Sequence, residues 1–185
     1  MSRFYDTFMR ILFPIGDKAR EQIAEKLVSG SILDVACGTG TLLEMAEEKG
    51  MRCFGIDLSE GMLAQTQRKV QKSQLIRASY YEIPYASESF EVVVATNSLS
   101  GVFIDAKRVL SEMIRVCQKD GRIYIGEWQT AAEERFSDRL MVWLASLNDD
   151  APKDYLKIFG ELGYEPVFEK LSDQMFIFII RKNRN

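Results

Sequence analysis

An acid, two glycines and a helix start fall within ten residues, Ile32-Leu33-Asp34-Val35-Ala36-Cys37-Gly38-Thr39-Gly40-Thr41. The apolar run Ser31 to Ala36 predicts a buried strand, and Gly38 and Gly40 permit a tight turn with close backbone approach. A helix-patterned stretch runs from Thr41 to Lys49, and Thr41 with Glu44 has capping-box spacing, which predicts Thr41 as the cap. A turn of this kind lies at the carboxyl end of a strand in an open α/β sheet, where ligands bind. What is missing narrows the ligand. A dinucleotide turn carries a third glycine where this chain has Leu43, and a P-loop lysine is absent. Neither phosphate pattern is satisfied. Asp34 would repel a pyrophosphate and suits a cationic ligand.

The next strand, Met51 to Ile56, ends at Asp57, where a carboxylate can accept both hydroxyls of a ribose. Ser59 then caps a helix running to about Gln71. Alone, Asp57 could simply be an exposed turn residue. Together with the upstream glycine turn it indicates a nucleoside.

Composition excludes several other chemistries. Among 185 residues there is no histidine, which removes imidazole acid–base catalysis, His-dependent triads and His-based zinc sites, and no metal is expected. Three cysteines, Cys37, Cys53 and Cys117, stand far apart without a Cys-x-x-Cys pair, as in reduced thiols of a cytoplasmic protein. Net charge is −3, so the basic stripe of a nucleic-acid binder is missing. Arg68-Lys69 and Lys182 to Arg184 are expected as solvated faces. No apolar run is long enough to span a bilayer. Residues 1–15 are apolar-rich, with Phe4, Phe8, Ile11, Leu12 and Phe13 beside Arg3 and Arg10, and lack an A-x-A-like cleavage site. They are expected to form an N-terminal lid folded over the domain, or an amphipathic segment making peripheral membrane contact.

The elements that must position these residues alternate. Further strands are expected at Leu75 to Ala78, Phe90 to Thr96 and Arg122 to Glu127, the last after a Lys119-Asp120-Gly121 turn. Asp105 is expected to cap a helix running to about Cys117. Strand–helix alternation builds a parallel sheet covered on both faces. Tyr164 to Leu171 and Met175 to Arg181 are separated by only Ser172-Asp173-Gln174, too short for a crossover helix, so they form an antiparallel hairpin. The expectation is one α/β domain over residues 1–185, with a mostly parallel seven-stranded sheet, helices on both faces and a C-terminal antiparallel hairpin.

The segments I-L-D-V-A-C-G-T-G, G-I-D-L-S-E-G-M-L, I-P-Y-A-S-E-S-F-E-V-V-V-A and V-C-Q-K-D-G-R together resemble class I S-adenosylmethionine-dependent methyltransferases, which have a Rossmann-like fold. The nearest group is that of quinone-biosynthesis and phospholipid N-methyltransferases, and Phe13-Pro14-Ile15-Gly16-Asp17 is similar to some phospholipid-methylating members. The resemblance implies S-adenosylmethionine as cofactor. Asp34 and the backbone of Ala36, Cys37, Gly38 and Gly40 would hold its methionine portion, and Asp57 its ribose hydroxyls. Leu58 and Met62 would pack on the adenine, with Ser79, Tyr80 and Tyr81 at its edge. Asn97 and Ser98 would line the site near the methyl. The family often has an Asp where Ser79 stands, so adenine recognition would rest more on backbone contacts.

Methyl transfer from a sulfonium is an in-line displacement governed by alignment and water exclusion, so a missing histidine is compatible with it. Candidates for catalysis or for orienting the acceptor are Tyr5, Asn97 and Glu127, with Tyr124 and Trp128 as alternatives that could be core residues. The fourth strand is not followed by the Asn/Asp-Pro-Pro-Tyr/Phe of amide and exocyclic-amine methylases, and no Pro-Cys nucleophile occurs. Residues 129–151 form an insertion in which Arg135 to Leu147 has helical apolar spacing. It is a core-covering helix or an acceptor lid. The expected function is methyl transfer to a small or amphiphilic acceptor, lipid-like or quinone-like. The alternatives are a non-catalytic S-adenosylmethionine-binding partner subunit and a nucleotide-dependent oxidoreductase, the latter disfavoured by Leu43.

Overall fold

The computed structural model describes residues 14–101, 103–128, 153–172 and 175–182. Seven strands form one sheet: β1 (Ser31–Val35), β2 (Arg52–Asp57), β3 (Gln74–Arg77), β4 (Phe90–Thr96), β5 (Cys117–Trp128), β6 (Val167–Lys170) and β7 (Met175–Arg181). Their order is β3-β2-β1-β4-β5-β7-β6. The first five run parallel, and β7 is antiparallel to both of its neighbours, β5 and β6. The mostly parallel sheet with a C-terminal hairpin is as expected. The hairpin's second strand, however, inserts next to β5 and leaves β6 at the edge.

The helices are α1 (Pro14–Lys26), α2 (Thr41–Glu48), α3 (Glu60–Lys69), α4 (Ala106–Val116) and α5 (Tyr155–Glu161). One apolar layer joins α1, α2 and α3 to the sheet through Ala19, Ile23, Leu42, Leu43, Ala46, Leu63 and Val94. The opposite layer joins α4 and α5 through Val109, Leu110, Met113, Tyr155 and Phe159. All of β1 is buried and β4 is buried except at Glu91, as central parallel strands covered on both faces require. Among the described residues no helix is long and apolar enough to cross a membrane.

Local chemistry explains most element ends. Ser59 accepts from Met62 N at the start of α3, and Asp105 from Arg108 N at the start of α4, both as expected. Thr41 is not the cap of α2. Gly40 occupies that position with φ 78° and no side-chain cap bond, so Thr41 is the first helical residue. The expected Lys119-Asp120-Gly121 turn is instead absorbed into β5, whose register with β4 jumps from Phe90↔Cys117 to Val92↔Arg122. Two helices lie outside the sequence expectation. In α1, Ala19 and Ile23 are both wholly buried one turn apart. In α5, Asp154 accepts from Lys157 N, and Tyr155 and Phe159 pack on Phe178 with ring centroids 5.5 and 5.8 Å away. Of the N-terminal segment, residues 1–13 lie outside the described residues, as does the insertion at 129–151.

Candidate functional site

The carboxyl ends of β1 and β2 are bound directly to each other. Cys37 N donates to the Ile56 carbonyl at 3.0 Å, and Gly40 N donates back to the Cys37 carbonyl at 3.0 Å, closing the turn. Gly38 N donates to Asp57 Oδ2 at 2.9 Å, and Ser59 N donates to Asp57 Oδ1 at 2.8 Å. The glycine turn and Asp57 therefore meet, as their spacing predicts. Each Asp57 oxygen accepts one N–H and keeps a second lone pair for a hydroxyl of a ligand.

Thr66 is a residue the sequence reading missed. It is wholly buried on α3, and its hydroxyl donates to the Gly38 carbonyl at 2.7 Å. A side chain at Gly40 would place Cβ 2.4 Å from Thr66 Cγ2, in addition to the left-handed backbone there. The signal was a lone threonine on the inner face of a helix, which carries no motif. Gly38 thus has its N–H on Asp57 and its carbonyl on Thr66, so its part is to shape the turn. Cys37 is 8% exposed and joins the core, where burial pushes its thiol pKa up. Its backbone closes the turn through Ile56 and Gly40.

Asp34 ends up at the floor. It is 2% exposed, and its Oδ1 has no hydrogen-bond partner among the described residues. Burial pushes its carboxyl up to about 7, against the opposing pull of the Arg20 guanidinium, with the nearby Asp57 adding to the rise. Arg20, on α1, is a second residue absent from the sequence expectation, because its helix was not foreseen. Immediately after this strand Ala36 holds φ 58°, a conformation costly for a residue with a side chain. An orphaned buried acceptor beside a strained glycine turn fits a cationic ligand, as the methionine portion of S-adenosylmethionine is.

On the adenine side of the expected site, Leu58 is 56% exposed and Met62 is half-buried one turn into α3. Ser79 Oγ accepts from Tyr81 N at 3.2 Å. Tyr81 Oη accepts from Asp105 N at 3.0 Å, and Arg108 lies over its ring at 5.1 Å, so this tyrosine braces the loop against α4. Tyr80 stands edge-on to Tyr81, centroids 4.8 Å apart. Burial first, then Tyr81 and Glu127, pushes its phenol pKa up.

On the far side, Asn97 follows β4 with φ 51° and is exposed, while its N–H donates to the Gly126 carbonyl at 2.9 Å. Ser98 N and Leu99 N both donate to Glu127 Oε1, at 2.5 and 2.9 Å. Glu127 is 0% exposed, and its Oε1 is committed to the loop backbone. Tyr124, at 3% exposure, is a core residue. Tyr5 and the Trp128 side chain lie outside the described residues. A cavity of about 210 Å³ lined by Ser31, Arg52, Phe54, Tyr85, Ser89 and Phe90 opens at the amino ends of β1, β2 and β4. It faces away from all of these groups.

Residues 33–125, half of the chain, match the model of a methyltransferase domain. The chain belongs to that family, as a class I S-adenosylmethionine-dependent methyltransferase. It is 30% identical over 138 residues to the ubiquinone/menaquinone biosynthesis C-methyltransferase UbiE of Campylobacter jejuni, a match covering 67% of this chain and 58% of that protein. It is 25% identical over 197 residues to the demethylmenaquinone methyltransferase of Thermotoga maritima, covering 90% of this chain and 86% of that one. The fold matches that of Burkholderia thailandensis 1,6-didemethyltoxoflavin-N1-methyltransferase, solved with 1,6-didemethyltoxoflavin and S-adenosylhomocysteine bound. The TM-score is 0.73 at 15% identity, over 99% of this chain and 85% of that one. The family match includes the glycine turn, Asp57 and the loop after β4, the same residues that converge at one end of the sheet.

Proposed function

We propose that this chain moves a methyl group from S-adenosylmethionine to a small or amphiphilic acceptor, with a quinol-like or lipid-like ring or headgroup as the favoured class. The observation that carries the reading is Asp34: a buried carboxylate with an unbonded oxygen, at the foot of a glycine turn tied to Asp57. When bound, the cofactor supplies a methyl on a sulfonium whose positive charge disappears as the methyl leaves.

The chain's own residues then have separable tasks. Asp34 offers a full negative charge to the cationic methionine portion. Asp57 accepts the ribose hydroxyls on its remaining lone pairs, held rigid by Gly38 N and Ser59 N. Leu58 and Met62 flank the adenine. Asn97 and Ser98 border the methyl. Tyr80, with its phenol pKa raised, keeps its proton and serves as a hydrogen-bond donor rather than a base. Since the sulfonium charge is lost in the transition state, alignment and exclusion of water provide most of the rate.

The quinone-like acceptor is supported by the two relatives above, one named for ubiquinone/menaquinone biosynthesis and the other a demethylmenaquinone methyltransferase. Cytoplasmic placement belongs to the same proposal and is supported by three free, buried cysteines. The test is production of S-adenosylhomocysteine from S-adenosylmethionine with a short-chain demethylated naphthohydroquinone, and separately with phosphatidylethanolamine vesicles. Turnover on either acceptor is expected. Tight S-adenosylhomocysteine binding with no turnover on a broad metabolite panel would favour a cofactor-binding partner subunit instead.

A further inference from the structure

We infer that Glu127 is a positioning residue for methyl transfer, one that sets Asn97 and Ser98 in place without touching either reactant. The inference rests on the methyl-transfer reading above. After β4 ends at Thr96, three consecutive backbone N–H groups all donate to the end of β5. Asn97 N bonds the Gly126 carbonyl at 2.9 Å, and Ser98 N and Leu99 N share Glu127 Oε1 at 2.5 and 2.9 Å. This capture bends the chain sharply and holds Asn97 at φ 51°, a conformation that persists only where surroundings impose it.

The clamp has a firm base. Gly126 is walled by Ala19, Thr96 and Ile23, whose atoms would lie 3.2, 3.2 and 3.6 Å from an added Cβ, so the end of β5 is wedged between β4 and α1. Leu99 is wholly buried and anchors the other end of the loop. One carboxylate oxygen accepting two N–H groups is a charge-assisted arrangement, stronger than a neutral acceptor would give. Glu127 is itself wholly buried, and the oxygen that holds the loop already accepts two N–H groups. Its distance in sequence from the loop, 29 residues to Ser98, explains why a motif reading assigns it to the acceptor instead.

The full chain as Glu127→Gln and as Glu127→Asp distinguishes the possibilities. Gln keeps a carbonyl oxygen at the same reach, whereas Asp keeps the charge and withdraws the oxygen by one methylene. Positioning predicts that Gln retains kcat within about 5-fold with an unchanged pH profile. Asp should lose about 100-fold in kcat, the scale of a 1 Å misplacement, with KM for S-adenosylmethionine within about 3-fold of wild type. Amide exchange at Ser98 and Leu99 should accelerate in Asp and stay slow in Gln, while exchange along β1 stays unchanged in both. The acceptor is the same naphthohydroquinone. An inactive Gln variant beside an active Asp variant would overturn the inference in favour of a charge or proton role. Equal kcat in both variants, or unaltered exchange at Ser98 and Leu99 in Asp, would overturn it too. If wild type binds S-adenosylhomocysteine but turns over no acceptor, the function reading fails while the exchange measurement still decides the role of Glu127.

Discussion

The rim at the carboxyl ends of the strands has two halves built in different ways. The β1–β2 half is assembled from neighbours in sequence: strand, turn and helix in succession, tied across by Asp57 to Gly38 and Ser59. The β4–β5 half is assembled at a distance, with Glu127 reaching back to Ser98 and Leu99. Each half contains one non-glycine residue forced to positive φ right after a central strand, Ala36 in one and Asn97 in the other. The difference teaches that one half is specified by local motif and the other by long-range capture. The first should therefore be broken by changing the turn itself, and the second only by changing what holds it.

The sharpest way to break the β1–β2 half is Gly40→Val. Its Cβ meets Thr66 at 2.4 Å on a backbone with φ 78°, and strain plus overpacking should remove about 3 kcal/mol of stability. Calorimetry should then detect no S-adenosylhomocysteine binding, and a melting curve should report the lost stability. Asp57→Ala comes next. It removes the acceptor for both Gly38 N and Ser59 N together with the expected ribose contacts, and should weaken S-adenosylhomocysteine binding by about 1–3 kcal/mol. An unchanged affinity would make Asp57 a bystander.

A smaller effect separates the halves by pH. In the empty protein the Asp34 carboxyl sits at about 7, so it is largely protonated at pH 6 and ionised at pH 8. A cationic ligand binds the ionised form. Affinity for S-adenosylhomocysteine, with its ammonium, should rise through this window by up to about tenfold per pH unit below the pKa. Asp34→Asn should flatten that rise, whereas Glu127→Gln should leave it in place. For folding the sign is opposite: the native state binds the Asp34 proton more tightly than the unfolded chain does. This group therefore makes the empty protein less stable as pH climbs from about 4 to 7.

The smallest expected effect lies outside both halves. Glu47 accepts from Gln71 N, Lys72 N and Ser73 Oγ at 3.0, 2.8 and 2.6 Å, locking α2 to the turn before β3. Although partial burial acts the other way, these hydrogen bonds hold its carboxyl below the usual range. Its stabilisation is accordingly present above the ordinary carboxylate range and lost as pH falls through the folded value. Glu47→Ala should cost about 1–2 kcal/mol in a denaturant melt and leave S-adenosylhomocysteine affinity unchanged. A large change in affinity would mean that the two halves are coupled through α2.

The same contrast governs what could be seen in the sequence. The seven strands, the reversed last strand, the glycine turn and the meeting of residues 38 and 57 were legible, because buried strands and strand–turn–helix units announce themselves locally. Thr66 was not, since a buried threonine on a helix has no pattern, and it declares itself only when Gly38 and Gly40 are seen packed on it. Arg20 was hidden because α1 was not foreseen, although Ala19, Ile23 and Leu27 recur every fourth residue. The capping box failed at Thr41 because Gly40, freed from side-chain sterics, takes the cap position itself. Glu127 was singled out for ending β5, but its bonds to Ser98 N and Leu99 N were not legible. Its partners are backbone N–H groups, which sequence spacing cannot point to.

The central claim is that the cleft between residues 36–40 and 57 receives a cationic adenosine cofactor. Calorimetric titration of the full chain with S-adenosylhomocysteine and, separately, with NAD tests it most directly. Saturable one-to-one binding of the first and none of the second is the predicted outcome. Binding of NAD alone would contradict the account.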